Sequence, residues 1–185
     1  MSRLRLITSN LIEDLKSLTL DATSIYWITA FAMKSGVRHV LPSLKEAGLR
    51  GAELKLLVGD YLYITQPEAL KLLLEELHHA EIRIYRSNGI SFHPKAYMFR
   101  SNEDSHLIVG SSNLSSSALH NGIEWNLYAP AVVSGTVFEE ATNEFMKLFY
   151  SASTIPLNTE TLSGYQEAYN KVNKDLALSN TWSAN

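Results

Sequence analysis

Between residues 24 and 128 the chain alternates short apolar runs with segments in which apolar residues recur every three or four positions. These are the periods of strand and helix. The runs SIYWITAF at 24–31 and ELKLLVG at 53–59 predict internal strands from their β-branched, aromatic and aliphatic content. Between them, Val37, Val40, Leu41, Leu44 and Ala47 mark a helix over 35–49 that ends near Gly48. Pro42 within it predicts a kink or a later start. A second helix is expected over 67–80, with Pro67 in its first turn and Ala69, Leu70, Leu73, Leu74 and Leu77 on one face. Strands are predicted at 82–85, 95–100, 106–110 and 124–128, and short helices at 10–18, capped by Asn10, and at 115–119. After Pro130, Val137, Ala141, Phe145, Leu148 and Phe149 share a face of a helix over 134–151. A last, mostly polar helix over 159–178 offers Tyr165, Tyr169 and Val172 as its apolar contacts.

Strand, helix, strand, helix, strand predicts an α/β fold: a mixed, mostly parallel central sheet flanked by helices on both faces. One domain over 1–155 is expected, followed by a C-terminal helical extension over 156–185 that packs weakly, pairs with another chain or links to a further domain.

Composition narrows the function classes. At 185 residues and 45% hydrophobic content the chain is long enough for a real core. No apolar run approaches the roughly 18 residues of a membrane span, and the start MSRLRLITSN lacks the features of a secretion signal. A cytoplasmic protein without a membrane partner is the expectation. The chain has no cysteine, which excludes disulfides, thiolate zinc sites and a cysteine nucleophile. Neither a GxxxxGK[ST] loop nor a glycine-rich dinucleotide pattern is present, and no cofactor is expected. The net charge is -3, yet residues 82–102 hold four basic residues, Arg83, Arg86, Lys95 and Arg100, and no acidic one.

The chemistry concentrates in 92–126. His93 and Lys95 are two apart and would project together from a strand, with Pro94 suited to that strand's beginning. The strand at 106–110 runs into GSSN, where Ser111 and Asn113 stand at a strand-to-helix junction suited to a phosphate oxygen. On the following strand, Glu124 and Asn126 would share a face, and Glu124 would accept a hydrogen bond from one ring nitrogen of His93. Taken singly, each residue has a plain structural role: a strand-end histidine, a helix cap, a surface carboxylate. Together they fit covalent phosphoryl transfer. Neutral His93 attacks phosphorus, Lys95 and Asn113 hold the non-bridging oxygens, and an acid protonates the leaving oxygen. A second imidazole is the natural acid. No other histidine is followed two residues later by lysine, so His93 of a two-fold related subunit is the economical source.

HPK at 93–95, GSSN at 110–113 and EWN at 124–126 resemble the motifs of the phospholipase D superfamily, and most closely its nuclease branch and the related N-terminal domains of bacterial helicase and restriction proteins. The resemblance spans about 24–149. It implies a metal-independent phosphodiesterase in which His93 is the nucleophile, Lys95 and Asn113 bind phosphate, Ser111 assists and Glu124 orients the histidine, with one active site built across a homodimer. The family's usual aspartate, five residues after the lysine, is Arg100 here. The expected function is therefore a DNA nuclease domain of a restriction- or helicase-type protein. A binding module that positions nucleic acid without cutting it is the alternative. Phospholipid hydrolysis is disfavoured by the lack of a Lys- and Arg-rich amphipathic helix.

Overall fold

The computed structural model describes residues 3–182, with side chains through residue 173. Among these residues eight strands form one sheet: β1 (Arg5–Ile7), β2 (Ser24–Thr29), β3 (Glu53–Gly59), β4 (Ala80–Tyr85), β5 (Lys95–Arg100), β6 (Ser105–Gly110), β7 (Asn126–Pro130) and β8 (Thr154–Pro156). Their order is β1-β7-β6-β5-β2-β3-β4-β8. Among the described residues six α-helices accompany them: α1 (Leu11–Leu20), α2 (Lys34–Leu49), α3 (Pro67–Glu76), α4 (Ser116–His120), α5 (Ala131–Phe149) and α6 (Thr159–Trp182).

Residue alternation divides the core into two layers. Ile25 and Trp27, Leu54 and Leu56, Tyr97 and Phe99 face α1, α2, α3, α4 and the first part of α6. Tyr26 and Ile28, Leu57, Met98 and Leu107 face Phe138, Phe145 and Phe149 of α5. Helices thus flank both faces, as expected for strands apolar on both sides.

The sheet is mixed, but its parallel part is the trio β2, β3 and β4; the other five pairings are antiparallel. The balance departs from a mostly parallel sheet because β5, β6 and β7 follow one another without a full crossover helix. Local boundaries shift for similar reasons. β1 and β8 are only three residues long, too short for a periodicity signal. The helix expected to reach 80 ends at Glu76, and Ala80 instead begins β4 beside Leu54. Asn10 stands at the start of α1 without a side-chain cap. It adopts a left-handed backbone (φ 52°) that asparagine tolerates, and its N–H donates to His120 O at 2.8 Å. α2 runs through Pro42 in its interior, and α5 begins at Ala131 with a break at Ser134.

The C-terminal segment joins the same core. β8 pairs with β4, Leu157 and Tyr165 are buried, and the Tyr165 hydroxyl donates to Thr65 O at 2.7 Å. The final three residues of the expected extension lie outside the described residues.

Candidate active site

The C-terminal end of β2 and the N-terminal end of β5 meet where Thr29 pairs with Lys95. His93 and Pro94 form the extended approach to β5, so proline's missing N–H costs no ladder bond. His93 is exposed, whereas Lys95 is buried, with 5% of its surface accessible. The Lys95 ammonium lies 2.5 Å from His93 Nδ1 and donates to His93 O at 2.8 Å. Phe31, just beyond β2, closes the other side: its ring meets His93 edge to face at 6.0 Å and lies 5.9 Å from Lys95 Nζ. Burial lowers the pKa of Lys95 below the ordinary lysine value, and the negative charge of Glu124 partly offsets this.

The GSSN segment is held by β7 and β2. Gly110 pairs with Asn126, and a Cβ on Gly110 would lie 2.3 Å from Trp125 O, so only glycine permits the approach. Asn126 is buried and acts as a clamp: its Oδ1 accepts from Ser112 N and its Nδ2 donates to Ser112 Oγ at 2.9 Å. From β5, the buried Tyr97 hydroxyl donates to Ser112 O at 2.7 Å. Asn113 is oriented unambiguously, because its Oδ1 accepts from the Phe31 N–H and from Thr29 Oγ1, each at 3.2 Å. Its Nδ2 therefore remains a donor for a ligand. Phe31, Thr29, Tyr97 and the clamp role of Asn126 were not foreseen. Their signal in the sequence is only that strand ends beside HPK and GSSN must be bridged by something.

Glu124 precedes β7 rather than lying within it. Its carboxylate accepts from the Ser111 hydroxyl, which in turn accepts from Trp125 N–H at 2.9 Å. Glu124 and Asn126 thus serve different partners: the first faces Ser111 at the surface, the second is buried under Ser112. The structure brings His93, Lys95 and Asn113 to one strand-end cluster and sets Ser111 with Glu124 as a neighbouring pair. Arg100 stands apart. It is at the opposite end of β5, about 17 Å away at the rise of a strand. There its guanidinium pairs with Glu139 at 2.9 Å and covers the Phe138 ring. A residue at that position anchors α5 and cannot reach His93.

A family model described as the phospholipase D-like domain of cardiolipin synthase matches residues 15–149. The chain belongs to the phospholipase D-like family. No curated protein sequence matches it. Among solved structures it is similar to NucT from Helicobacter pylori, at 13% identity and a TM-score of 0.64, covering 83% of this chain and 98% of that one. It is similarly close to Nuc, a phospholipase D family member from Salmonella typhimurium, at 13% identity and a TM-score of 0.64, with 85% and 99% covered. TrmBL2, an archaeal chromatin protein, aligns at 16% identity and a TM-score of 0.50, covering 80% of this chain and 53% of that one. At such identities the structural likeness speaks to the fold. Membership of the phospholipase D-like family supports phosphodiesterase-type chemistry.

Among the described residues, no helix is long and apolar enough to cross a membrane, and no three His, Asp or Glu side chains gather as metal ligands.

Proposed function

We propose that this chain is a metal-independent phosphodiesterase acting on DNA in the cytoplasm, a nuclease domain of a restriction- or helicase-type protein, with its site completed by a second copy. The observation that carries this reading is the convergence of an exposed imidazole, a buried ammonium and an amide N–H₂ with no partner among the described residues. That set offers a nucleophile and two donors for phosphoryl oxygens.

In the resting arrangement the Lys95 ammonium donates to Nδ1, which keeps the imidazole proton on Nε2 and the nucleophile silent. A bound phosphodiester draws the ammonium to its oxygens. The imidazole proton then moves to Nδ1, and that N–H donates a hydrogen bond to the Glu124 carboxylate once Ser111 releases it. Nε2 attacks phosphorus and the P–O bond to the leaving group breaks. The leaving oxygen takes a proton from His93 of the partner subunit, which enters the step doubly protonated, as the imidazolium. That imidazole, now neutral, deprotonates water, which attacks the phosphohistidine and frees His93.

Support for a second copy comes from the face of the sheet shared with α5. Leu6, Leu127 and Val109 are cross-strand neighbours on β1, β7 and β6, and all three are exposed, as are Trp125 and Ile123 beside Glu124. α5 does not reach this row, which borders the site. Such a patch is suited to burial against a like patch across a two-fold axis.

The test is incubation of wild type and His93→Ala with labelled single- and double-stranded DNA in EDTA. Wild type is expected to cleave and the variant to lose cleavage by about 10³-fold or more. Cleavage that survives His93→Ala, or that requires added metal, would sink the mechanism. Binding weakened by salt with no scission by either protein would instead favour the non-cutting module.

A further inference from the structure

The loops on either side of β4's C-terminal end hold features that the phosphodiester chemistry does not use. After Asp60, the one-turn segment Tyr61–Tyr63 places two successive non-glycine residues, Leu62 and Tyr63, in left-handed backbone (φ 54° and 51°). Across from it, Asn88 and Gly89 turn the loop leading to His93, also with positive φ (47° and 86°). Strained backbone of this kind persists only where the surroundings impose it. Asp60 ties the two loops together: its Oδ1 accepts from Ser87 N at 2.7 Å and its N–H donates to Tyr85 O at 3.1 Å.

Between them lies a groove of about 730 Å³ lined by Tyr61, Leu62, Tyr63, Arg86, Asn88 and Val172 of α6. Its aromatic wall is braced from behind. Tyr61 packs against the cluster containing Phe92, and Tyr63 leans on Tyr165 at 5.6 Å. Leu62 is 62% exposed and Ile90, on the facing loop, 67%. Arg86 is exposed, and among the described residues its guanidinium has neither an ion pair nor a hydrogen bond; only its backbone N–H is engaged, by Ser153 O. The Asp60 carboxylate, the one acidic group lining the groove, already accepts from Ser87.

The groove adjoins the nucleophile. Phe92 stacks on Tyr85 at 4.2 Å and occupies the space above Gly59, where a Cβ would lie 2.4 Å from its ring. His93 is the next residue, and the chain from Asn88 can span at most about 3.5 Å per residue to it. Asn88 and His93 are therefore at most about 18 Å apart, and a strand with a phosphate at His93 reaches the groove within its next few nucleotides.

We propose that this groove receives an unpaired nucleobase flanking the scissile phosphate, stacked on the tyrosine wall with Arg86 on an adjacent phosphate, so that the chain prefers single-stranded nucleic acid. The placement next to His93 rests on the phosphodiesterase reading of the site. Charge favours the single strand as occupant. A chain of net charge -3, whose basic residues near the site are the few of segment 82–102, offers little of the cationic surface that duplex binding draws on. Stacking supplies affinity without them, but only to bases whose faces are exposed.

The test uses the His93→Ala chain, so that binding is read without cleavage, with a labelled oligothymidylate and a duplex of equal length as probes. Fluorescence anisotropy is expected to show the single strand bound about tenfold or more tightly than the duplex. Adding Tyr61→Ala or Arg86→Ala is expected to weaken it about tenfold, with Tyr61→Phe restoring it. Arg86→Ala is also expected to reduce the slope of log affinity against log salt by about 0.7. Arg86 is exposed, so its variant reports even if Tyr61→Ala unfolds. Equal binding of duplex and single strand, or unchanged affinity in Arg86→Ala, would overturn the groove. Cleavage by wild type is scored separately: its absence alongside the Tyr61 and Arg86 effects would leave the groove standing and remove the catalytic reading.

Discussion

At the scale of single residues, Lys95 carries the clearest electrostatic consequence. Burial disfavours its ammonium, so between its lowered folded pKa and the ordinary lysine value the folded chain binds fewer protons than the unfolded one. The penalty on stability is full below the folded pKa and is relieved as pH rises through that window. For activity the sign is opposite, because the phosphate binding proposed for Lys95 needs the charge. The alkaline limb of kcat/KM is expected to reflect Lys95 deprotonation and to fall at lower pH than an ordinary lysine would set. Glu124→Gln removes the carboxylate that partly sustains that charge and is expected to move the limb further down, as a pH–rate profile will show. Arg100 provides the contrast. Its pair with Glu139 is well exposed on both sides, so Arg100→Ala is expected to cost about 0–1 kcal/mol in denaturant unfolding and to leave cleavage intact.

At the scale of elements, two readings turn on backbone donors. Pro42 sits in the interior of α2, where its ring withholds the N–H that would bond to the carbonyl four residues earlier. Pro42→Ala is expected to raise stability by about 1–3 kcal/mol, read as a higher unfolding midpoint. Asn126 has the opposite standing. Its side chain satisfies two groups of Ser112 in a buried position, and Asn126→Ala leaves them unpaired. A loss of about 1–3 kcal/mol is expected, with weaker substrate binding because the turn that presents Asn113 loosens. The boundaries of β2, β3, β5 and β6 were legible within two residues because each is an apolar run bounded by turn residues. β1 and β8 were not, because a three-residue strand is stabilised by the neighbour it pairs with and not by its own pattern. Glu124 was placed within a strand by the same limitation: EWN continues the alternation, yet pairing with β6 begins only at Asn126.

At the scale of the whole molecule, the exposed row of Leu6, Leu127 and Val109 bears on assembly. If two copies meet there, Leu127→Glu puts a charge into the contact while leaving each fold solvent-stable on that face. The variant is expected to run as a monomer in light scattering and to lose cleavage with it, because each site then lacks its acid. A monomer of full activity would separate assembly from catalysis.

The sequence by itself determined the α/β class, the two-faced burial of the strands and the residue types of the site. Period and composition are local properties, and HPK and GSSN are contiguous. It did not determine that most pairings are antiparallel, that Asn113 is oriented by Phe31 and Thr29, that Glu124 holds Ser111, or that Arg100 lies a strand's length from His93. Those depend on which strand ends meet in space. The sequence lists strand residues in order, and only pairing across the sheet decides which of them become neighbours.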